Sequence, residues 1–433
     1  MGVGILDLSK TYGKKNNKFL YLCRPEKEEP LLIPYTKTSQ YDKSHDHYYV
    51  KYNNGIITHN FGVVDNLSNL YEYMIHSKEL DIPQNANNKY AQSKCKGDII
   101  EQMTIRYHLP RRTGHIFTID SDTTTDYDDA ISVSNNKVSI YISNVSLVLD
   151  YLGLWSLISS RVSTIYMPDK KRSMLPKVIE DICSLTKGQH KICLVLDLYI
   201  EETSIRKEFS VCNVKISRNY VYEESKLLNH TDYKLLQKYI PFKDSHELVS
   251  RLMITFNKEC AIQMKHQGIY KPHTLYNPTT VEDYIHMYNT CRSEPYTTEK
   301  NEYLHITSPI RRLVDLLNMY SFTRNYISYS ETANEIHNSW IMNIDKINEN
   351  TKHIKQIQRD GLLHHLFEQN KHHHLKGYIF NKVDDKYDIY IPDLSIFTKT
   401  TCETSLEEGV PYTFKLYMIY DELYKKIQLE IIQ

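Results

Sequence analysis

No stretch of this chain approaches 18 consecutive apolar residues, so no membrane-spanning helix is expected in it. Its opening, MGVGILDLSK, lacks the apolar h-region of a secretory leader, and Leu6 stands where a myristoylation signal needs Ser or Thr. The cysteines, at 23, 95, 183, 193, 212, 260, 291 and 402, form no CxxC pair and no paired ladder. That argues against a disulfide scaffold and leaves free thiols in a reducing, cytoplasmic setting as the expectation. Net charge is also missing: 53 basic residues offset 53 acidic ones, so no global field announces a polyanion partner. There is no internal repeat and no low-complexity tract.

What is present reads as ordinary globular material, 41% hydrophobic and 24% charged, with length for two to four domains. Local basic clusters stand at 10–18, Arg111-Arg112, 170–172 and Arg311-Arg312. Residues 1–75 alternate like short strands, with Asn53-Asn54-Gly55 as a hairpin signal, and predict a small β-barrel. DNLSNLYEYMIHSKEL predicts a capped helix, and residues 76–115 a helical and polar connector. From 116 to 370 the pattern is mixed: strands around an acidic loop, a hairpin tipped by Asn135-Asn136, a helix-like stripe over 147–162, and paired strands 192–200 and 208–217. Long helices follow over 219–370. Residues 371–433 return to β pattern.

The stretch FTIDSDTTTDYDDAISVS holds five aspartates between strand-like flanks. Two carboxylates ~4 Å apart repel by roughly 4 kcal/mol at an effective dielectric of about 20, so several converge only around a counter-charge. A hard divalent cation such as Mg²⁺ takes oxygen ligands and suits phosphodiester chemistry. A calcium loop is the competing pattern, but its glycine and closing glutamate are missing. A solvated acidic loop is the plainer alternative.

Three blocks in order over about 250 residues resemble the ribonuclease II / ribonuclease R (RNB) family of hydrolytic 3′→5′ exoribonucleases. TIDSDTTTDYDDA keeps the D-x5-D-x-D-D spacing at Asp120, Asp126, Asp128 and Asp129, with Asp122 outside it. RVSTIYMPDKKRSMLPKVIEDICSL is the second block and TSPIRR, Thr307 to Arg312, the third. Weaker echoes are YVYEESKLL, Asn257 with Ala261, and GIYKPH ending at His273. The resemblance implies a compact, divergent member with an α+β multidomain fold: a cold-shock-like OB barrel (1–75), the connector (76–115), an RNB catalytic domain (116–370) and an OB-type RNA-binding barrel (371–433).

The same resemblance implies Mg²⁺, with Mn²⁺ as its substitute, on Asp120, Asp126, Asp128 and Asp129. Asp128 becomes the carboxylate most critical for hydrolysis, and Asp126 serves a second metal or the water. Arg311 becomes the catalytic arginine, its planar fork suited to growing phosphate charge. Tyr166 matches the tyrosine stacked on the 3′-terminal base. Thr307, Ser308 and Arg312 are expected near the RNA backbone, Thr307 and Ser308 alternatively capping a helix opened by Pro309. The partner implied is single-stranded RNA, with no membrane, and the products are 5′-mononucleotides and a short limit oligonucleotide. His353, His364, His365 and His372 to His374 lack cysteine partners and a fixed ligand spacing, so no zinc role is expected there.

Departures from the family pattern fall at Tyr141, Asn144, Lys271, Leu313, Met319, Tyr320 and Gln358. They touch substrate geometry and rate more than the four aspartates or the arginine. The competing class is a catalytically weak or inactive RNA-binding relative acting within a larger assembly. A metal-dependent DNA exonuclease is a third reading.

Overall fold

The computed structural model describes residues 2–26, 28–37, 44–158, 161–271, 295–369, 372–383, 386–394, 396–401, 406–420 and 425–432. His273, Cys291 and Cys402, noted in the sequence, lie outside the described residues. No described helix is long and apolar enough to cross a membrane.

The first sheet is antiparallel: β1 (Gly2–Asp7), β2 (Lys14–Lys15), β3 (Lys18–Pro25), β4 (Leu31–Tyr35), β5 (His47–Asn53) and β6 (Ile56–Val63). Its order is β2-β3-β1-β5-β6, with β4 also on β3. Alternation along these strands gives each face a core. Leu6, Tyr21, Cys23, Ile33, Tyr48 and Val50 fill one side. Ile5 and Tyr49 face the other and meet Leu70 and Tyr73 of helix α1 (Leu67–Ser77), Tyr49 stacking on Tyr73 at 4.6 Å. The β5–β6 hairpin turns on Asn54 and Gly55, both at positive φ (46° and 71°), the primed turn that Asn-Gly favours. Asn66 caps α1 through its side-chain oxygen on the Asn69 N–H.

The connector forms helices α2 (Gln84–Lys94) and α3 (Ile99–Arg106). A seven-stranded sheet follows, built from β7 (Arg111–Arg112), β8 (Phe117–Asp120), β9 (Asp129–Ser134), β10 (Lys137–Ser143), β13 (His190–Ile200), β14 (Ile205–Lys215) and β15 (Arg218–Val221) in the order β15-β8-β9-β10-β13-β14-β7. A separate two-stranded ribbon joins β11 (Ile165–Tyr166) to β12 (Lys171–Arg172). Strands β13 and β14 pair antiparallel from His190↔Lys215 to Ile200↔Ile205, the neighbours expected from pattern.

The stripe over 147–162 is not one helix. Helix α4 (Val145–Leu152) stops at Gly153, which sits left-handed at φ 65° as its C-cap, and only a short 3₁₀ turn follows at Trp155–Leu157. A glycine there ends the helix at little cost, whatever the apolar pattern beyond it.

Around the sheet pack α5 (Lys177–Cys183), α6 (Ser225–Leu228), α7 (Thr231–Tyr239), α8 (Ser245–Gln263), α9 (Leu313–Thr323), α10 (Glu331–Met342) and α11 (Ile344–Gln369). Every residue of α9 is buried, making it the axis of the domain. The last sheet is antiparallel, β18-β17-β16-β19-β20, from β16 (His372–Val383), β17 (Lys386–Ile391), β18 (Ile396–Thr401), β19 (Pro411–Tyr420) and β20 (Lys425–Ile432). Its core, with Ile379, Ile389, Phe414 and Leu416, takes in Leu363 and Phe367 from the end of α11. The fold is thus an α+β core flanked by two OB-type sheets.

Candidate active site

Strand β8 buries Phe117 and Ile119 and ends on Asp120; β9 begins on Asp129. The loop between them carries the remaining aspartates. Asp126 and Asp128 are buried, Asp120 and Asp129 half-buried, and Asp122, outside the family spacing, is exposed.

Burial, opposed by Arg311, pushes the Asp120 carboxyl up to about 6 and that of Asp128 up to about 7. Burial together with Asp120 and Asp128 drives Asp129 well above the usual range. Asp129 therefore lies within the field of both Asp120 and Asp128. Asp120 Oδ2 is buried and takes no hydrogen bond. An oxygen left without a donor, on a carboxylate that raises the pKa of its neighbour Asp129, fits a hard divalent cation. Among the described residues the four carboxylates do not close on one point within metal-ligand distance, as like charges dictate.

Two of the four are turned onto basic residues. Asp128 accepts from the Ile310 N–H through Oδ1 at 2.9 Å and from Arg311 Nε through Oδ2 at 3.1 Å. Asp126 is ion-paired with Lys171, accepts from Thr125 Oγ1 at 2.9 Å, and receives the Tyr166 hydroxyl at 3.4 Å. Lys171 Nζ also reaches Thr125 Oγ1 at 3.1 Å and buried Glu180 at 3.4 Å. Its place in a run of basic residues hid this role, because three adjacent cations usually mark a solvated face.

The second and third sequence blocks are docked through their backbones. Ser163 and Arg312 form an antiparallel bridge, with Thr164 N–H donating to Arg311 O and Leu313 N–H to Val162 O, each at 2.9 Å. This clamp sets Tyr166 beside the loop. Its ring is 44% exposed, open to a stacked base, while its main-chain N–H donates to Gln358 Oε1 at 3.1 Å.

Thr307 and Ser308 are buried, and the helix after them starts at Leu313 rather than at Pro309. The alternative of helix capping is therefore corrected: Ser308 Oγ instead accepts from Arg311 Nη2 at 3.0 Å. Fully buried Asp315, one turn into α9, accepts from the Ser308 N–H and from Arg312 Nη2, both at 2.8 Å. Arg312 is thereby committed to Asp315, and of the two arginines only Arg311 faces the aspartate loop. Asn257 accepts from the Ile306 N–H at 3.0 Å and donates to the Tyr303 hydroxyl at 2.8 Å, pinning the approach to the turn.

Sequence reasoning passed over Tyr222 as well. Its N–H donates to Asp120 O at 2.9 Å, its ring stacks on His246 at 3.8 Å, and burial with Asp129 and Asp120 pushes its hydroxyl up to about 12. Among 36 tyrosines only the YEE block beside it was a signal.

Most departures from the family pattern have structural work. Asn144 caps α4, Tyr141 bonds Ser132 Oγ at 2.8 Å within the sheet, and Leu313, Met319 and Tyr320 are buried along α9. Lys271 lies over the Tyr296 ring at 5.1 Å.

Comparison with known proteins places this geometry. A family model described as the RNB domain matches residues 110–239. Ribonuclease R of Chlamydia pneumoniae is 22% identical over 324 residues, covering 51% of this chain and 48% of its own length, so the match spans about half of that relative. The structure of Mycoplasma genitalium RNase R in complex with ribose methylated single-stranded RNA superposes with a TM-score of 0.69 at 14% identity, over 100% of this chain and 90% of the other. Yeast Ssd1, described as a pseudonuclease, gives 0.63 at 12% identity, over 92% and 65%.

Proposed function

From the RNB-domain match over residues 110–239 and the similarity to ribonuclease R, we propose that the chain is an RNB-family, divalent-cation-dependent hydrolytic 3′→5′ exoribonuclease acting on single-stranded RNA. The observation that carries the reading is the convergence of three distant blocks on the aspartate loop, Tyr166 at Asp126 and Arg311 at Asp128.

Asp120, Asp128 and Asp129 would hold the cation, with Asp126 beside them; when bound, it supplies charge to the scissile phosphate and to an attacking water. Asp128 and Arg311 hold each other, so the guanidinium is already aimed at the loop. On substrate binding its remaining N–H groups meet the phosphate oxygens, whose charge grows as water displaces the leaving sugar. Tyr166 stacks on the terminal base and keeps the last phosphodiester in register. Buried Ser308 orients Arg311, and Arg312 with Asp315 holds the turn that carries both.

A silent RNA-binding relative is the second reading, favoured by one observation: Lys171 already neutralises Asp126. End specificity separates the two. If the two OB-type sheets guide a strand to the aspartates, RNA labelled at its 3′ end should release mononucleotide at once. The same RNA labelled at its 5′ end should shorten stepwise to a short limit product, and a circular RNA should survive. Binding of all three with no cleavage, in Mg²⁺ or Mn²⁺, would establish the silent relative.

A further inference from the structure

We propose that His115, His230 and Asp232 form a second cation site, built for Zn²⁺ or a similar borderline transition ion. It involves none of the residues placed at the active site. His115 immediately precedes the core segment leading into β8, and Asp120 closes that strand, about 16 Å further on at strand rise. His230 is the N-cap of α7, and Asp232 lies in that helix's first turn. The three donors thus come from two segments more than a hundred residues apart, which is why no local spacing announced them.

Their ligand atoms all lie within 4.8 Å of one another, the one such group among the described residues. His115 Nδ1 stands 2.8 Å from Asp232 Oδ2, and His230 Nδ1 stands 3.9 Å from the same oxygen. Around a tetrahedral ion with ligands at about 2.0–2.1 Å, neighbouring donors sit about 3.3 Å apart. The two observed separations bracket that edge.

The imidazoles are packed in place: they stack at 4.2 Å with planes 20° apart, and Phe117 and Tyr220 flank the His115 ring at 4.9 and 6.2 Å, so loading requires a ring rotation that turns both in-plane lone pairs onto the ion. The side chains keep 28%, 33% and 20% of their surface, which leaves an open side for a water as fourth ligand. Two imidazoles and one carboxylate select a borderline ion, whereas the all-oxygen aspartate loop selects Mg²⁺ or Mn²⁺. Asp232 accepts from His115, and His230 Nδ1 accepts the Asp232 N–H at 3.2 Å. Loading exchanges these hydrogen bonds for coordinate bonds that tie α7 to the strand carrying Asp120.

The test uses the full chain stripped with a chelator, then held in excess Mg²⁺ so that oxygen sites are saturated. Titration with Zn²⁺ should show one ion per chain and a rise in melting temperature, and Co²⁺ should give the visible bands of a tetrahedral centre with imidazole ligands. His230→Asn removes the imidazole but keeps a capping oxygen, and His115→Gln keeps a polar side chain. Each should weaken zinc binding roughly tenfold or more and abolish the Co²⁺ bands. RNA hydrolysis in Mg²⁺ should be unchanged in both, which also checks that they fold. Unaltered zinc affinity in either variant, or binding abolished by alkylating the cysteines instead, would overturn the site. So would a native chain that takes up no zinc in Mg²⁺.

Discussion

At the scale of single residues, the aspartate loop is a balance of unlike partners. Asp128→Asn keeps the shape that receives the Ile310 N–H but removes the charge that faces Arg311 and a cation. Hydrolysis should disappear while RNA binding stays equal or tightens, because negative charge near phosphate has been removed; retained cleavage in an assay run on the same preparation would refute the assignment. Lys171→Met should be felt differently. Leaving buried Asp126 without its cation costs about 3 kcal/mol, and Mg²⁺ should recover more of the lost melting temperature than it adds to the native chain. An equal Mg²⁺ shift in both would mean that Lys171 and the cation do not serve the same charge.

The sign of the pH dependence follows from the raised carboxyls. Asp120 and Asp128, pushed up to about 6 and about 7, prefer their protons when the chain is folded. Their contribution to stability is therefore complete below about pH 4 and is lost as pH rises through 6 to 7. Divalent cation binds the ionised form and restores it. The Mg²⁺-induced rise in melting temperature should be larger at about pH 8 than at about pH 5; an unchanged shift would place the ion elsewhere.

At the scale of elements, two devices hold the site together. The turn Thr307–Arg312 is hung from α9 by Asp315, which no solvent reaches. Asp315→Asn keeps the oxygen that receives the Ser308 N–H and removes the charge paired with Arg312. Turnover should fall with little change in the affinity for RNA, since Arg311 loses its setting and the base platform at Tyr166 does not. A loss confined to affinity would make the turn a binding element instead. Helix α4 stops at Gly153 because that residue is left-handed, with open space where a Cβ would stand. Gly153→Ala should cost about 1 kcal/mol through backbone strain alone, read as a lower denaturation midpoint at unchanged m.

At the scale of the whole molecule, the last sheet is not an independent bead. Leu363 and Phe367 of α11 belong to its core, so the central domain's final helix is shared between the two. A chain ending at residue 371 should keep the seven-stranded sheet, bind single-stranded RNA more weakly, and associate through the apolar end of α11. Undiminished affinity in that truncated chain would remove the last sheet from the path of the strand.

The sequence by itself determined the local matters: Asn54-Gly55 turns a hairpin because both residues tolerate positive φ, Asn66 opens a helix because its side chain caps it, and the aspartate spacing with TSPIRR carries the resemblance to the RNB family. These signals act within a few residues, where composition and backbone preference decide. Tertiary structure alone decided who faces whom. Lys171 in a basic run became the partner of Asp126, Arg312 was withdrawn to Asp315, Tyr222 came to rest beside Asp120, and His115 met His230. Each pairing joins segments that the sheet order and the buried helix α9 bring together, except that of Arg312 with Asp315, and even there the choice of Arg312 over Arg311 was made by the bridge to Ser163. Charge and ring contacts of that kind depend on distance in space, and a linear pattern carries no record of it.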